Sequence, residues 1–360
     1  MKIAVITCYH DPDYVRARTI RAALRKVPGV SVIEVKNSSK GALRYPQVFW
    51  RLWQTKRHQK PDAYVLTFRG QEILPFVQLI IGKKPLVFDE FIVPIAYASG
   101  EKHKKTLKIR VFYALARFSE PLYRSWLRHC KVILADTQAH AELSARTSNM
   151  NLSQYVALPV GTDENVFKPS TKKVTTPDKF RVFYYSTGMQ PLHGIKYVLQ
   201  AAELLKDNDS IEFLIVGGKK PLRDAVDAAA EHGAHVRYEA WIPFADLLST
   251  MYESGLNMGG PFGGTNQAQH VITGKTYQML AAAVPTLVGD SEATREFFLD
   301  KENALVVPQA DPEAIKKAIL WAQKHPLDLK QIALNGRKLY EKNFSTAALA
   351  KIWQSIVSDL

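Results

Sequence analysis

The chain has 360 residues, 46% of them hydrophobic and 23% charged, which provides enough apolar surface for two packed domains and excludes an intrinsically disordered protein. Its formal net charge is +14, and residues 1–160 carry the excess, with 26 Lys and Arg against 11 Asp and Glu. That imbalance indicates an anionic partner for the first half. The two cysteines, Cys8 and Cys130, exclude a disulfide framework and indicate a reducing compartment.

Two apolar runs were candidates for targeting or membrane segments. The run that opens MKIAVITCYHDPD stops after about six residues, shorter than the ~7–15 of a signal-peptide core. The run ILPFVQLIIG at 73–82 is about half the ~20 residues that a membrane span needs, so it predicts a buried helix. We therefore expect a cytoplasmic protein.

Short apolar runs alternate with helical stretches along the whole chain. KIAVIT, VSVIEV, AYVLTF, PLVFDEF and KVILADT are predicted strands of the first half, and a polar stretch at 169–179 predicts a linker before a second series that starts at RVFYYST. Continuous apolar strands separated by helices predict parallel sheets covered on both faces. We predict an α/β protein of two doubly wound, Rossmann-like domains, 1–165 and 166–343, which face a central cleft. A last helix within 344–360 could pack back on the first domain.

In such sheets ligands bind beyond the carboxyl ends of the strands, so the loops there are the candidate sites. The first is the turn in STGMQPLHGIKYVLQAAELL, which contains Gly188 and His193 and opens a helix at about Gly194. Unpaired N–H groups and the partial positive charge of a helix start suit a diphosphate. A plain turn between strand and helix is the alternative.

The second candidate loop lies within residues 261–290. Gly263, Gly264 and Thr265 follow a predicted strand and lead to a helix with Lys275 in its first turn. A lysine there opposes the helix dipole, and an anionic ligand would explain it. A solvated surface lysine is the alternative.

Five segments together resemble the family 4 retaining glycosyltransferases. They are LPVGTDENVFKP at 158–169, PLHG at 191–194, LIVGG at 214–218, GKTYQMLAAAVPTLVGD at 274–290 and ENALVVPQADPEAIKKAI at 302–319. The resemblance implies a GT-B fold, a nucleotide-diphosphate sugar such as a UDP or GDP sugar held mainly by the second domain, and transfer with retention. It implies neither a catalytic metal nor a separate cofactor, and it adds Gly217 and Trp241 to the expected donor-binding residues.

Four positions depart from the family pattern. Met189 and His193 stand where relatives carry an arginine and a lysine at the diphosphate, and Lys275 could supply the missing positive charge. His270 and Gln278 stand at the positions of a typical glutamate pair, of which the first lies near the donor sugar and the second at the ribose hydroxyls in the family. Gln278 can still bond a ribose hydroxyl, although a neutral partner contributes less than an ionised one. These departures leave open a weakened protein that binds nucleotide or membrane without turnover.

The transfer needs groups that stabilise the departing phosphate. The N–H groups near Gly194, Lys275 and His193 are the candidates, and in retaining relatives that phosphate can accept the acceptor's proton. Asp89 and Glu90, at the end of PLVFDEF, are candidates to line the donor sugar, or else a structural pair that caps the loop. His10, after the first strand, is a further catalytic candidate, or else a loop histidine facing solvent.

The basic first half mixes aromatic and cationic side chains at residues 43–60 and 102–129. Amphipathic basic helices with Trp and Phe settle at anionic bilayers, so we expect an enzyme on the cytoplasmic membrane face with a glycan or lipid-linked acceptor. Aromatic core residues and merely solvated charges are the alternative. No nucleic-acid-binding motif occurs, which argues against a nucleic-acid partner. No G-x-G-x-x-G follows the first strand, which argues against a dehydrogenase.

Overall fold

A computed structural model describes residues 1–91, 120–170, 178–186 and 190–360. The chain forms two compact units, the first from Met1–Gly161 with Thr346–Leu360 and the second from Thr162–Ser345. Residues 102–119 of the predicted segment 102–129 lie outside the described residues, as do residues 171–177 of the predicted linker.

The first unit is built on a sheet of six parallel strands in the order β2-β1-β3-β4-β5-β6. The strands are β1 (Lys2–Thr7), β2 (Ser31–Lys36), β3 (Ala63–Leu66), β4 (Leu86–Asp89), β5 (Val132–Ala135) and β6 (Tyr155–Ala157). Its helices among the described residues include α1 (Val15–Arg25), α2 (Arg44–His58), α3 (Leu74–Ile81) and α4 (Gln138–Ser148), and residues 120–128 are also helical.

Both faces of this sheet are covered. Along β1, Ile3 and Val5 belong to one hydrophobic core, whereas Ala4 and Ile6 belong to another. Successive side chains of a strand point to opposite faces, so an unbroken apolar strand fits only a sheet buried on both sides. The predicted doubly wound α/β architecture is confirmed.

The helix predicted at 73–82 exists as α3, but the prediction that it is buried was only partly right. Leu74 and Val77 are fully buried, whereas Phe76 is 52% and Leu79 is 81% exposed. A helix that is apolar all round is usually buried, but α3 buries Leu74, Val77 and Ile81 in a hydrophobic core and leaves Phe76 and Leu79 at the surface. Among the described residues, no helix combines the length and the apolar character needed to cross a bilayer.

The second unit repeats the architecture with the order β12-β11-β10-β7-β8-β9, all parallel. The strands are β7 (Phe180–Ser186), β8 (Ile211–Gly217), β9 (Val236–Glu239), β10 (Leu256–Met258), β11 (Thr286–Asp290) and β12 (Leu305–Pro308). The helices are α5 (Ile195–Glu203), α6 (Lys220–Glu231), α7 (Phe244–Tyr252), α8 (Asn266–His270), α9 (Gly274–Ala282), α10 (Glu292–Arg295), α11 (Pro312–Lys324) and α12 (Pro326–Asn343).

The last helix, α13 (Thr346–Ser358), belongs to the first unit. Its Leu349 and Trp353 are buried in the same core as Ile20 and Leu24 of α1. The Trp353 side chain has no exposed surface. The chain therefore passes from the first unit to the second and back again.

Candidate functional site

The second sheet has a topological switch point at β7. After β7 the chain forms β8 and β9 on one side of that strand, and it then forms β10, β11 and β12 on the other side. Loops that diverge at such a point open a crevice at the carboxyl ends of the strands, where ligands bind. The two candidate loops follow β7 and β10, on either side of this point.

The loop after β7 packs closely against the loop after β10. Gly194 has φ +65°, and a Cβ atom there would lie 2.4 Å from the carbonyl carbon of Phe262. The Gly263 N–H donates to the Leu192 carbonyl at 2.9 Å, and a Cβ on Gly263 would lie 2.1 Å from the Pro191 oxygen. Only glycines permit this approach. The predicted turn residue Gly188 lies outside the described residues.

The start of α9 is fixed to the same loop. Thr273 Oγ1 donates to the Gly259 carbonyl at 2.6 Å and lies 3.0 Å from Thr276 Oγ1. Lys275 lies two residues after Thr273, so its position is set by β10 and the loop that follows it. Fixed hydroxyl contacts of this kind hold a helix start rigidly for a ligand.

Lys275 is the central residue of the site. Its Nζ lies 3.7 Å from the centroid of the Tyr184 ring and donates to the Tyr185 carbonyl at 3.4 Å, so it reaches across to β7. The side chain is buried, and no carboxylate of the described residues forms an ion pair with it. Burial lowers the pKa of Lys275 to about 7. A buried ammonium without a counter-ion is a group that an anionic ligand would stabilise.

His193 lies at the entrance of α5, within the field of that lysine. Burial first, and then the positive charge of Lys275, lower the pKa of His193 to about 3. Its Nδ1 atom is buried and has no hydrogen-bond partner among the described residues. His193 is therefore a neutral imidazole near pH 7, which can provide a hydrogen bond to a ligand but no positive charge.

Gln278 and His270 both have contacts within the protein. Gln278 accepts a hydrogen bond from the Tyr185 hydroxyl at Oε1, which leaves its amide N–H groups as donors. His270 is buried, its Nδ1 lies 2.7 Å from the Asn266 carbonyl, and its Nε2 lies 3.5 Å from a carboxylate oxygen of Glu292. Gln278 keeps donors for a ribose hydroxyl, whereas the ring of His270 has protein neighbours at both nitrogens.

The other predicted donor-binding residues surround the same edge of the sheet. Gly217 ends β8 with φ +91°, and a Cβ there would lie 2.3 Å from the Ser186 oxygen. Thr265 caps α8 by accepting from the Ala268 N–H at 3.2 Å, and Gly264 precedes it. Trp241 follows β9 and is 71% exposed, which makes it available to a flat ligand.

In the first unit, Asp89 lies at the carboxyl end of β4 in a buried ion pair. The Arg16 guanidinium donates to its carboxylate from Nη2 at 2.8 Å and from Nε at 3.1 Å, and neither side chain has exposed surface. Arg16 Nη1 also donates to the Pro159 carbonyl at 3.0 Å. This geometry ties α1, β4 and the segment after β6 together.

Glu90 lies beside that pair in a separate network. It accepts hydrogen bonds from Tyr123 at 2.6 Å and from Ser144, and burial raises the pKa of Glu90. His140 is hydrogen-bonded to Asp136 through Nδ1, and its buried Nε2 has no partner among the described residues. The carboxyl ends of β4 and β5 therefore hold a fully buried cluster of ionisable groups.

His10 differs from the two carboxylates because it is exposed. Its ring lies 3.9 Å from that of Tyr9, centroid to centroid, in the loop after β1. It is thus accessible to a ligand of the first unit. Among the described residues, no three or more His, Cys, Asp or Glu side chains form a group that could hold a metal ion.

Comparison with known proteins bears on the second unit most directly. Residues 180–325 match the family model of glycosyl transferases group 1. The match covers less than half of the chain and runs from β7 through α11, so it contains the switch point, Lys275 and both glycine loops. No curated protein sequence matches the chain.

Solved structures extend the likeness to the whole chain. Anabaena HepE, solved with UDP, aligns with a TM-score of 0.72 at 14% identity over 100% of both chains. Sucrose-phosphate synthase from Thermosynechococcus elongatus gives the same four values. A glycosyltransferase from Rickettsia africae aligns at 0.70 and 11% identity over 99% and 97% of the two chains. The shared fold is GT-B, as predicted.

Sequence reasoning missed three residues that shape these sites. Tyr184 and Tyr185 form the β7 side of the Lys275 environment, and Arg16 holds Asp89. A tyrosine pair at the end of a strand, just before a glycine turn, was an available signal for the first two. No sequence signal indicated the role of Arg16, because it lies 73 residues from Asp89 in the sequence.

Proposed function

We propose that the protein is a glycosyltransferase that takes a sugar from a nucleotide-diphosphate donor, bound by the second unit. The observation that carries this proposal is Lys275, a buried cation that pairs with no carboxylate of the described residues and lies at the switch point of a glycosyl transferases group 1 domain. The diphosphate would accept from the Lys275 ammonium and from the helix start at Gly194. Gln278 and Trp241 would contact the nucleoside.

In the proposed reaction the anomeric configuration is retained and no metal takes part. The bond between sugar and diphosphate breaks, negative charge develops on the leaving phosphate, and Lys275 stabilises that charge. The neutral His193 adds a hydrogen bond at most, consistent with its lowered pKa. The leaving phosphate accepts the acceptor's proton, so the chemistry requires no strong nucleophile.

A direct test combines binding with transfer. Calorimetry should show UDP or GDP binding to the wild-type chain more tightly than the free nucleoside, and a panel of the corresponding nucleotide sugars should identify a donor that is turned over. A ¹H NMR spectrum of the first product then reports its anomeric configuration. Absence of binding by every nucleoside diphosphate would contradict the proposal.

A second candidate function is a nucleotide-binding protein without turnover. The contacts of His270 with Asn266 and Glu292 favour it, because relatives are expected to use this position at the donor sugar. The same calorimetry separates the two, since this candidate binds the diphosphate but transfers no sugar. The intact glycine loops and Lys275 favour the enzyme.

Donor affinity should depend on pH through Lys275. Its pKa of about 7 in the free protein means that the ammonium is present below pH 7 and lost above it, whereas a bound diphosphate raises the pKa. Binding above pH 7 must therefore take up a proton, and UDP should bind about tenfold more weakly at pH 8 than at pH 6. Calorimetry in buffers of different ionisation enthalpy measures that uptake.

Lys275→Arg is the matched control for this pH profile, because a guanidinium stays charged over the whole range. Its UDP affinity should change much less between pH 6 and pH 8, and whatever change remains reports the ionisation of UDP itself. Identical pH profiles for wild type and Lys275→Arg would contradict the role of Lys275.

We further propose that the first unit lies on the cytoplasmic face of an anionic membrane and takes a glycan or lipid-linked acceptor there. The supporting feature is the α2–α3 surface, which we define by four exposed side chains. They are Trp50, Trp53, Phe76 and Leu79. Trp50 and Trp53 stack at 5.2 Å, and exposed cations lie in α2 and in the turn that follows α3. Aromatic and cationic groups together suit the headgroup region of a bilayer.

Charge reversal on the α2–α3 surface should release the protein from membranes. Arg57 lies 4.0 Å from the Trp53 ring, and Lys84 follows α3; both are exposed. Each surface cation contributes ~1 kcal/mol, so Arg57→Glu/Lys84→Glu should lower binding to phosphatidylglycerol vesicles at least about tenfold in a pelleting assay. Lys330→Glu/Lys342→Glu, with the same change of net charge on α12, should keep most of the binding. Equal losses in both variants would mean that net charge alone drives association.

A further inference from the structure

Aromatic rings from three loops meet at the carboxyl edge of the first sheet. Tyr9 follows β1, Phe68 follows β3 and Phe91 follows β4. The centroids of Tyr9 and Phe68 are 4.9 Å apart, and those of Phe68 and Phe91 are 5.1 Å apart. Tyr14, just before α1, stacks on Phe68 at 4.9 Å with an interplanar angle of 21°. We call these four residues the aromatic cluster.

The aromatic cluster is only partly covered. Phe68 is buried, whereas Tyr9, Tyr14 and Phe91 each keep a part of their surface exposed. Among the described residues, neither tyrosine hydroxyl has a hydrogen-bond partner. Ligands of open parallel sheets bind at this edge, and a tyrosine combines an apolar ring with a polar hydroxyl. These converging rings therefore mark a surface for a ligand with both an apolar face and polar groups.

Polar and charged groups border Tyr9 on several sides. His10 is exposed beside its ring, and the exposed guanidinium of Arg69 lies 5.9 Å from the ring centroid. Arg69 has φ +57°, a left-handed conformation that is costly for a residue with a Cβ. Backbone strain of this kind tends to occur at binding sites, and here it coincides with a cation placed over an aromatic ring.

We propose that the aromatic cluster binds a pyranose ring of the acceptor, with an anionic substituent of that sugar facing Arg69. The C–H face of the sugar packs on the exposed part of Tyr9, its hydroxyls bond the phenols and His10, and its carboxylate or phosphate ester pairs with the guanidinium. The proposal rests on the proposed transferase function, because it assigns the acceptor to the first unit. A lipid chain alone would leave the two hydroxyls and the guanidinium without partners.

Saturation-transfer NMR on the full chain tests this, with D-glucose, D-glucuronate and D-glucose 6-phosphate as probes. Wild type should bind both anionic sugars more tightly than glucose, and the tighter of the two identifies the anionic group. Tyr9→Ala should weaken all three at least tenfold, whereas Tyr9→Phe keeps the stacking surface and most of the affinity. Arg69→Gln should bind glucose as before and lose the preference for anionic sugars. Trp50→Ala, which removes an exposed ring elsewhere in the same unit, should have no effect.

UDP affinity, measured on the same samples, separates this proposal from the function of the second unit. Tyr9→Ala and Arg69→Gln should bind UDP as the wild type does. Wild-type UDP binding without any sugar binding, or sugar binding that survives in Tyr9→Ala, would overturn the acceptor site and leave donor binding standing. If uridine gave a saturation-transfer signal with the wild type and none with Tyr9→Ala, the aromatic cluster would bind a nucleobase, and this result would also overturn the acceptor site.

Discussion

Lys275→Met should weaken UDP binding about ten- to a hundredfold and leave uridine binding unchanged. The ammonium is the only part of the side chain that a phosphate can contact, and a hydrogen bond to a charged group contributes about 1.5–3 kcal/mol. Methionine is similar in length and apolar, so it should fill the same space beside Tyr184 without leaving a cavity. Calorimetric titration with UDP and with uridine measures the difference.

Two controls accompany this variant. The free Lys275→Met protein should melt at or above the wild-type temperature, because the substitution removes a buried cation for which the described part of the chain provides no carboxylate partner. Lys301→Met removes a lysine whose Nζ lies 4.8 Å from the Trp321 ring centroid in the same unit, and it should bind UDP normally. Equal losses for UDP and uridine in Lys275→Met would mean that the lysine shapes the site without contacting phosphate.

Arg16→Met should lower the free energy of unfolding of the first unit by about 3–5 kcal/mol. The substitution leaves the Asp89 carboxylate buried with no exposed surface and without its guanidinium partner. Removing one member of a buried pair costs that much because the remaining charge is uncompensated. Urea denaturation followed by tryptophan fluorescence measures the change, because Trp353 is buried in the core of this unit and becomes exposed when it unfolds.

The double variant Arg16→Met/Asp89→Leu distinguishes a structural pair from a catalytic one. It should recover much of the lost stability, since both charges are gone. Arg25→Met, which breaks a pair with Glu34 in which the arginine is 54% exposed, should cost less than about 1 kcal/mol. If Arg16→Met instead left stability unchanged and abolished sugar transfer, Asp89 would belong to the donor site, as the sequence suggested.

The fold was predictable because its signal is local and repeated. An unbroken apolar strand such as β1 requires cover on both faces, and a glycine in a turn such as Gly194 indicates a backbone that other residues cannot follow. The position of Lys275 at a helix start was also predictable, because its neighbours in sequence define that helix. Both inferences depend on residues a few positions apart.

Features that depend on distant residues were not predictable. The neutral state of His193 follows from burial and from the charge of Lys275, which lies 82 positions away in the sequence. The exposure of Leu79 depends on which face of α3 packs into the core of the first unit. Sequence patterns carry no direct record of such contacts, and the convergence of Tyr9 with Phe68 was missed for the same reason.

The placement of α13 affects how the nascent protein can fold. Residues 346–360 complete the core beside α1, yet the ribosome makes them only after the whole second unit. The second unit can therefore fold during synthesis, whereas one face of the amino-terminal sheet stays incompletely covered until α13 has been made. Proteases and chaperones should have longer access to that side during translation, and removing the segment that contains Trp353 should prolong this exposure indefinitely.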